Sequence, residues 1–184
     1  KGYDSPVNES VTTGGLGYAY HWKTGEARLN GYYRHNFHKY KETDFYSYNP
    51  QMTQNVGGNL SVKSLDSKPG AFHYDFNLSG VATSIRDYAR EIFFDGSLDL
   101  GFRLSGKHRM FVNVGFENST YDNKYVDGTV LKGNGGLISV EPQYAYSFGR
   151  LSLAVGIGLA GIYGDPLGVE GNGDCAHVYP KVKV

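Results

Sequence analysis

Apolar and polar residues alternate with a period of two along most of the chain. In residues 92–105 the apolar positions share one side of an extended chain and the polar positions share the other, and residues 71–83, 109–117 and 138–148 repeat this pattern. Successive side chains of a β-strand point to opposite faces, so each segment predicts a strand with one apolar and one polar wall. Helical periodicity is confined to residues 83–91, about two turns.

The connections between the predicted strands alternate between short and long. The pattern predicts nine strands, at 14–23, 27–39, 56–65, 71–83, 92–105, 108–119, 137–148, 151–162 and 176–184. Tight, glycine-containing turns join some of them, at 23–26, 66–70, 105–108 and 148–150. Long polar loops join the others, at 40–55, 84–91, 120–136 and 163–175. In a meander each strand reverses direction, so the turns are expected at one end and the loops at the other.

This combination of features is typical of an outer-membrane barrel. A bilayer admits strands only in a closed barrel, because every backbone N–H and C=O must be paired internally. Such barrels alternate apolar-out with polar-in and have short turns on one side and long loops on the other. The predicted fold class is therefore all-β: an antiparallel up-and-down meander of about eight or nine strands forming a transmembrane β-barrel or part of one. The expected location is the bacterial outer membrane, with outer-membrane lipid as a partner.

Aromatic residues support this interpretation because they gather near the predicted strand ends, where amphipathic rings favour the headgroup level of a bilayer. They are Tyr18, Tyr20, Trp22, Phe72, Tyr74, Tyr144, Tyr146 and Phe148. The alternative is a soluble ligand-binding β-barrel or a two-sheet sandwich with its apolar wall inward. That wall would have to pack many aromatic rings at once. The second face of residues 151–160 carries small residues, where a solvated face usually carries more charge.

Composition narrows the remaining function classes. The 184 residues suffice for one domain, and 18 basic residues balance 18 acidic ones, so nothing indicates a nucleic-acid partner. Cys175 is the only cysteine, which excludes an intrachain disulfide framework and a thiolate metal cluster, and it is expected in the last long loop. No apolar run reaches the 18 residues of a transmembrane helix.

One motif has the spacing of a dinucleotide-binding fingerprint. Gly156, Gly158 and Gly161 match G-x-G-x-x-G, which requires a helix to begin there so that its N-terminus faces a pyrophosphate. The following residues, 162–166, include Gly164 and Pro166 and cannot begin that helix. We expect a strand here and no cofactor.

The polar wall of residues 92–105 carries candidate lumen charges. Asp95, Asp99 and Arg103 recur every four residues on one face of the predicted strand, about 13 Å apart at each step. We expect them to join a charged network with arginines of other strands. These are Arg28, Arg34 and Arg109.

No enzyme is predicted. His73, Asp75 and Ser79 share a polar face, as in rare outer-membrane hydrolases, but no nucleophile motif accompanies them. His35 and His38 point to opposite faces of a strand and cannot share a metal ion. We therefore assign no catalytic, cofactor-binding or metal-binding residue.

The predicted loops carry aromatic residues that could contact a ligand. Rings in 44–49 and 121–125 could stack on sugars, which is a hypothesis about the bound solute. The residues are Phe45, Tyr46, Tyr48, Tyr121 and Tyr125.

Three stretches together resemble the barrel portions of TonB-dependent receptor-like outer-membrane proteins of the Bacteroides group. They are residues 106–115, residues 138–159 and residues 177–184 with Pro180. The resemblance implies a transmembrane wall and extracellular loops of a transporter, without a plug domain or a TonB box in this chain. Single-chain bacterial barrels normally have even strand numbers, so nine strands favour a fragment of a larger barrel whose open edges pair with the rest of that barrel or with another copy. A complete eight-stranded structural or adhesive barrel with a tail is the alternative.

Overall fold

The chain forms a single antiparallel sheet in which strand order follows chain order. A computed structural model describes residues 8–39, 50–65, 68, 70–124, 128–165 and 175–183. Each strand pairs with its sequence neighbours. The strands are β1 (Asn8–Trp22), β2 (Gly25–Lys39), β3 (Gln51–Ser64), β4 (Phe72–Ile85), β5 (Ala89–Arg103), β6 (His108–Lys124), β7 (Val130–Phe148), β8 (Leu151–Asp165) and β9 (Cys175–Lys183).

The all-β, up-and-down meander of nine strands is confirmed, but the strands extend further than predicted at their long-loop ends. β6 continues to Lys124 and β7 begins at Val130, so the connection between them is residues 125–129 rather than 120–136. None of the described residues belongs to a helix that is long and apolar enough to cross a membrane.

The predicted long connection at 84–91 is wrong, and so is the strict alternation of short and long connections. Ile85 pairs with Ala89, which leaves only three residues between β4 and β5. Asp87 takes the left-handed conformation at φ 65°, and the Tyr88 N–H donates to the Ile85 carbonyl at 3.1 Å. Aspartate tolerates this conformation better than most residues, so the chain reverses tightly here.

Strand register divides the side chains into two continuous faces. We call one the apolar face; one row of it crosses all nine strands as Tyr20, Ala27, Val62, Phe76, Leu98, Val114, Val140, Leu159 and Val178. We call the other the polar face; one row of it contains His21, Glu26, Lys63, Asp75, Asp99, Asn113 and Glu141.

No second layer covers the apolar face within the described part of the chain. There the buried apolar side chains are two alanines, Ala145 and Ala154. Large apolar side chains remain exposed instead, from Leu16 at 72% in β1 to Val178 at 73% in β9. A folded soluble domain buries such residues in a core. The sheet is therefore a single layer with an apolar exterior.

The polar face is concave. A cavity of about 640 Å³ takes lining residues from seven strands, β3 to β9, and most of them lie on the polar face. In a flat sheet, six interstrand spacings would separate β3 from β9 by about 29 Å, far wider than a cavity of this volume. The sheet must curl around its polar face, which leaves the apolar face on the outside.

The strands are also staggered in one direction. Tyr20 and Leu159 lie in the same row across the sheet. From Tyr20, β1 extends only two residues further toward its short turn, to Trp22. On β8 the apolar face continues by eight residues in the same direction, to Leu151. A steady offset of this kind accompanies the tilt of strands in a barrel wall.

Candidate functional site

The three predicted lumen charges lie together on the polar face of β5. The Ser79 hydroxyl donates a hydrogen bond to Asp95, and the Asn113 side-chain amide donates to Asp99. The Gln143 amide in turn donates to the Asn113 carbonyl oxygen at 2.8 Å. A ladder of polar side chains therefore crosses β7, β6 and β5 and fixes the position of Asp99.

Of the three arginines expected in this network, two lie elsewhere and one lies beside Arg103. Arg28 contacts Glu26 at 3.2 Å, and the Arg34 Nε donates to the Asn36 carbonyl oxygen at 3.2 Å. Arg109 lies directly opposite Arg103 in the β5–β6 pairing. Asp95 and Asp99 accept their hydrogen bonds from neutral side chains that lie directly opposite on one adjacent strand. On the other adjacent strand the opposed residues are acidic, Glu117 and Asp75.

Glu26 forms an ion-pair cluster at the β1–β2 turn. It is 6% exposed and contacts Lys63 Nζ at 3.0 Å, Arg28 at 3.2 Å and His21 Nδ1 at 3.3 Å. These partners come from β1, β2 and β3. These ion pairs connect β1, β2 and β3 at their short-turn end.

Glu141 makes the corresponding link at the other edge of the sheet. Glu141 lies in β7 and has two partners in β9. It accepts a hydrogen bond from the Tyr179 hydroxyl at 2.7 Å and forms an ion pair with Lys181. These contacts pass over β8, where Gly158 pairs with Tyr179. A Cβ at Gly158 would lie 2.2 Å from the tyrosine ring, so glycine is required for the ring to lie across the strand.

The cavity on the polar face is rich in basic side chains at the short-turn end of the sheet. Among the described residues that line it, Lys68, Arg103, Arg109 and Lys183 are cationic and Asp99 is the carboxylate. We call these four cations the basic cavity cluster. Its members come from the β3–β4 connection and from β5, β6 and β9.

The hydrolase-like set of His73, Asp75 and Ser79 is not assembled. The His73 Nδ1 lies 2.7 Å from the Ser64 hydroxyl, Asp75 accepts from Asn77 at 2.9 Å, and Ser79 donates to Asp95. Each of the three therefore has its own partner. The described residues contain no group of three or more His, Cys, Asp or Glu side chains placed to hold a metal ion.

Tyr121 lies in a strand rather than in a loop, since β6 includes it. It lines a second cavity on the polar face, of about 350 Å³, near the long-loop end. Cys175 likewise begins β9 instead of lying in the last loop, and it is an exposed free thiol. The other predicted ligand-contacting aromatics, Phe45, Tyr46, Tyr48 and Tyr125, lie outside the described residues.

Sequence reasoning missed Glu26 and Glu141 as the anchors of the two edges. Alternation places both on the polar face, but their partners follow only from exact strand register. The paired glycines of β8 were a usable signal, because Gly156 and Gly158 have no side chains and so leave room for side chains of β7 and β9 to lie across the strand.

Comparison with known proteins identifies no relative of this chain. No protein-family model matches the chain, and neither curated proteins nor solved structures yield a match.

Proposed function

We propose that the chain forms part of the wall of an outer-membrane β-barrel of the TonB-dependent receptor-like type. The apolar face contacts lipid, the polar face borders an aqueous interior, and the long connections contribute to a substrate-facing rim. The receptor-like assignment and the Bacteroides origin rest on the resemblance of residues 106–115, 138–159 and 177–184.

One observation carries the membrane proposal: a curled single-layer sheet with its apolar face outward. The exposed apolar positions span all nine strands, including Leu29, Val56 and Ile157. An apolar surface of this extent is incompatible with a monomer in water but suits the hydrocarbon region of a bilayer. The soluble ligand-binding barrel needs the opposite arrangement, with apolar side chains around the cavity.

The number of strands supports a larger barrel. In a meander of nine strands β1 and β9 run in the same direction, so they cannot close on each other as an antiparallel pair. Among the described residues each has only one strand neighbour. The pairing of β9 with β8 from Cys175 to Lys183 favours a ninth strand of the wall over a tail beside an eight-stranded barrel. We infer that further strands complete the wall.

Lipid contact is directly measurable with tryptophan fluorescence. Trp22 is the only tryptophan of the chain, so Trp22→Phe gives a silent background. Leu29 and Asn30 are consecutive exposed residues of β2 on the apolar and polar faces. We would compare Leu29→Trp with Asn30→Trp in that background, each reconstituted into vesicles with brominated acyl chains.

We expect bromine to quench the tryptophan at position 29 several-fold more strongly than the one at position 30, because only the first meets acyl chains. Equal quenching at both positions, or none at either, would contradict the membrane proposal. Far-UV circular dichroism of both variants would check that the strand content is unchanged.

A further inference from the structure

We propose that Lys107 and Arg150, together with the aromatic rings beside them, bind the headgroup of an anionic phospholipid at the short-turn end of β6 and β7. This inference rests on the proposed function, because it names the class of lipid that the apolar face meets there. It concerns the outer surface of the sheet, whereas the basic cavity cluster lines the polar face.

Four rings lie close together on the apolar face at this end of β6 and β7. The centroid of the Tyr146 ring lies 4.9 Å from that of His108 and 6.0 Å from that of Phe148. The Tyr144 hydroxyl and the His108 Nδ1 form a hydrogen bond. We call these four residues the outer ring group. Amphipathic rings favour the headgroup level of a bilayer, so the outer ring group marks the depth at which headgroups would meet the sheet.

Two exposed cations lie in the turns next to the outer ring group. Lys107 ends the β5–β6 turn directly before His108, and Arg150 ends the β7–β8 turn two residues after Phe148. The Ser147 N–H donates to the Lys107 carbonyl at 2.8 Å, so the two turns lie side by side. Each cation is therefore within two residues of a ring that faces outward.

The chain around these two turns supplies no carboxylate. Residues 100–116 and 142–164 contain no aspartate or glutamate, although both segments contain basic residues. At the long-loop end of the same strands, acidic and basic side chains are mixed, and Asp122 pairs with Lys132 at 3.4 Å. The short-turn end of β6 and β7 therefore offers a negatively charged group a basic surface, which the long-loop end does not.

The apolar surface beside the rings favours a lipid over a dissolved anion as the occupant. Leu153 of β8 is exposed and pairs with Tyr146. Leu151 is also exposed and pairs with Phe148. An acyl chain can lie along these side chains while its phosphate group reaches the two turns, where a guanidinium group and an ammonium group form charge-assisted hydrogen bonds with phosphate oxygens. A dissolved anion would contact the cations and leave the apolar surface uncovered.

The test places a tryptophan beside the outer ring group and compares two quenching lipids. Leu153→Trp in the Trp22→Phe background reports on the lipid at this position. The full chain is reconstituted into phosphatidylcholine vesicles that contain the same fraction of either brominated phosphatidylglycerol or brominated phosphatidylcholine. The ratio of the two quenching efficiencies measures the local enrichment of the anionic lipid.

The informative variant combines Lys107→Gln with Arg150→Gln, and each single change removes one charge if the double variant fails to fold. Lys124→Gln is the matched control, because Lys124 is an exposed lysine at the opposite end of β6. Addition of inorganic phosphate at constant ionic strength shows whether a dissolved anion competes for the same cations.

We expect the anionic lipid to quench at least about twofold more strongly, because each cation near a membrane surface favours an anionic headgroup by about fivefold. The double variant should bring the ratio to about one, each single variant should lower it, and Lys124→Gln should leave it unchanged.

Equal quenching by the two lipids without the turn substitutions, or a ratio that the double variant preserves, would overturn the headgroup site and leave the membrane proposal intact. An equal loss of the ratio in Lys124→Gln would also overturn it, since general charge would then explain the preference. Loss of the preference on addition of phosphate would assign the cations to a dissolved anion and overturn it too. No quenching by either lipid would overturn the membrane proposal together with this site.

Discussion

At the scale of single residues, glycines decide which long side chains can lie across the sheet. Gly158 is buried beneath the Tyr179 ring, and Gly96 occupies the same position beneath Phe116. In each case a Cβ would lie within 2.2 Å of the ring. Aromatic rings that cover strand glycines stabilise register, because they fill the space that the missing side chain leaves.

Gly158→Ala tests this role. The added methyl group must displace the Tyr179 ring and with it the hydrogen bond to Glu141, so we expect the free energy of unfolding to fall by about 1–3 kcal/mol. Gly161→Ala is the matched control in the same strand, because its Cβ would meet Ile138 at an ordinary 3.6 Å. That change should be neutral or stabilise by up to about 1 kcal/mol. Denaturant unfolding in detergent measures both, and equal effects would exclude the covering role of Tyr179.

At the scale of elements, the edge strand β9 depends on a contact that skips its neighbour. β9 is nine residues long, whereas β7 has 19. Among the described strands the backbone of β9 pairs only with β8, and the Glu141 carboxylate binds Tyr179 and Lys181 from beyond that strand. The side chain of Glu141 is 15% exposed, so solvent screens the ion pair less than it would on an open surface.

Glu141→Ala should therefore loosen β9 more than any other strand. We expect amide hydrogen exchange in Cys175–Lys183 to accelerate about tenfold, because the local opening free energy falls by about 1.4 kcal/mol. Glu117→Ala serves as the control. Glu117 is exposed on the same face and lies opposite Asp95, so its removal relieves like-charge repulsion. Faster exchange throughout the sheet after Glu141→Ala would show a global effect instead of a local one.

The alternation of apolar and polar residues explains why the sequence predicted the strands but not where they end. Alternation identifies a strand wherever one face is apolar, and all nine were found in this way. At the long-loop ends both faces are polar, as at Ser119 and Thr120 of β6, so periodicity weakens although the backbone remains paired. The turn at Asp87 depends on one left-handed residue.

The candidate site was less predictable than the fold, because it depends on register between strands. Alternation correctly placed Asp95, Asp99 and Arg103 on the polar face. It could not show that Arg103 opposes Arg109, because a shift of two residues preserves the faces and changes every partner.

At the scale of the whole molecule, the odd number of strands restricts how copies can associate. β1 and β9 run in the same direction, so two copies in the same orientation cannot join β9 to β1 as an antiparallel pair. If one copy is turned by half a rotation about an axis normal to the sheet, its β9 can pair antiparallel with the β9 of the other copy. The apolar faces of both copies then lie on the same side. That arrangement places the long loops of one copy at the short-turn end of the other.

A barrel whose copies all insert in one direction cannot close in this way. In detergent-free solution nothing imposes one orientation, and the open edges remain competent for pairing.

We therefore expect the isolated chain to self-associate through β9 when no lipid is present. Cross-linking separates edge pairing from packing of two apolar faces. In a Cys175→Ser background, Val178→Cys lies in β9, whereas Leu98→Cys lies in central β5 in the same row of the apolar face. A short bifunctional thiol reagent should link Val178→Cys into dimers and leave Leu98→Cys unlinked, because edge pairing brings only edge strands together. A monodisperse monomer by light scattering would contradict edge association, and equal cross-linking at the two positions would replace it with face-to-face packing.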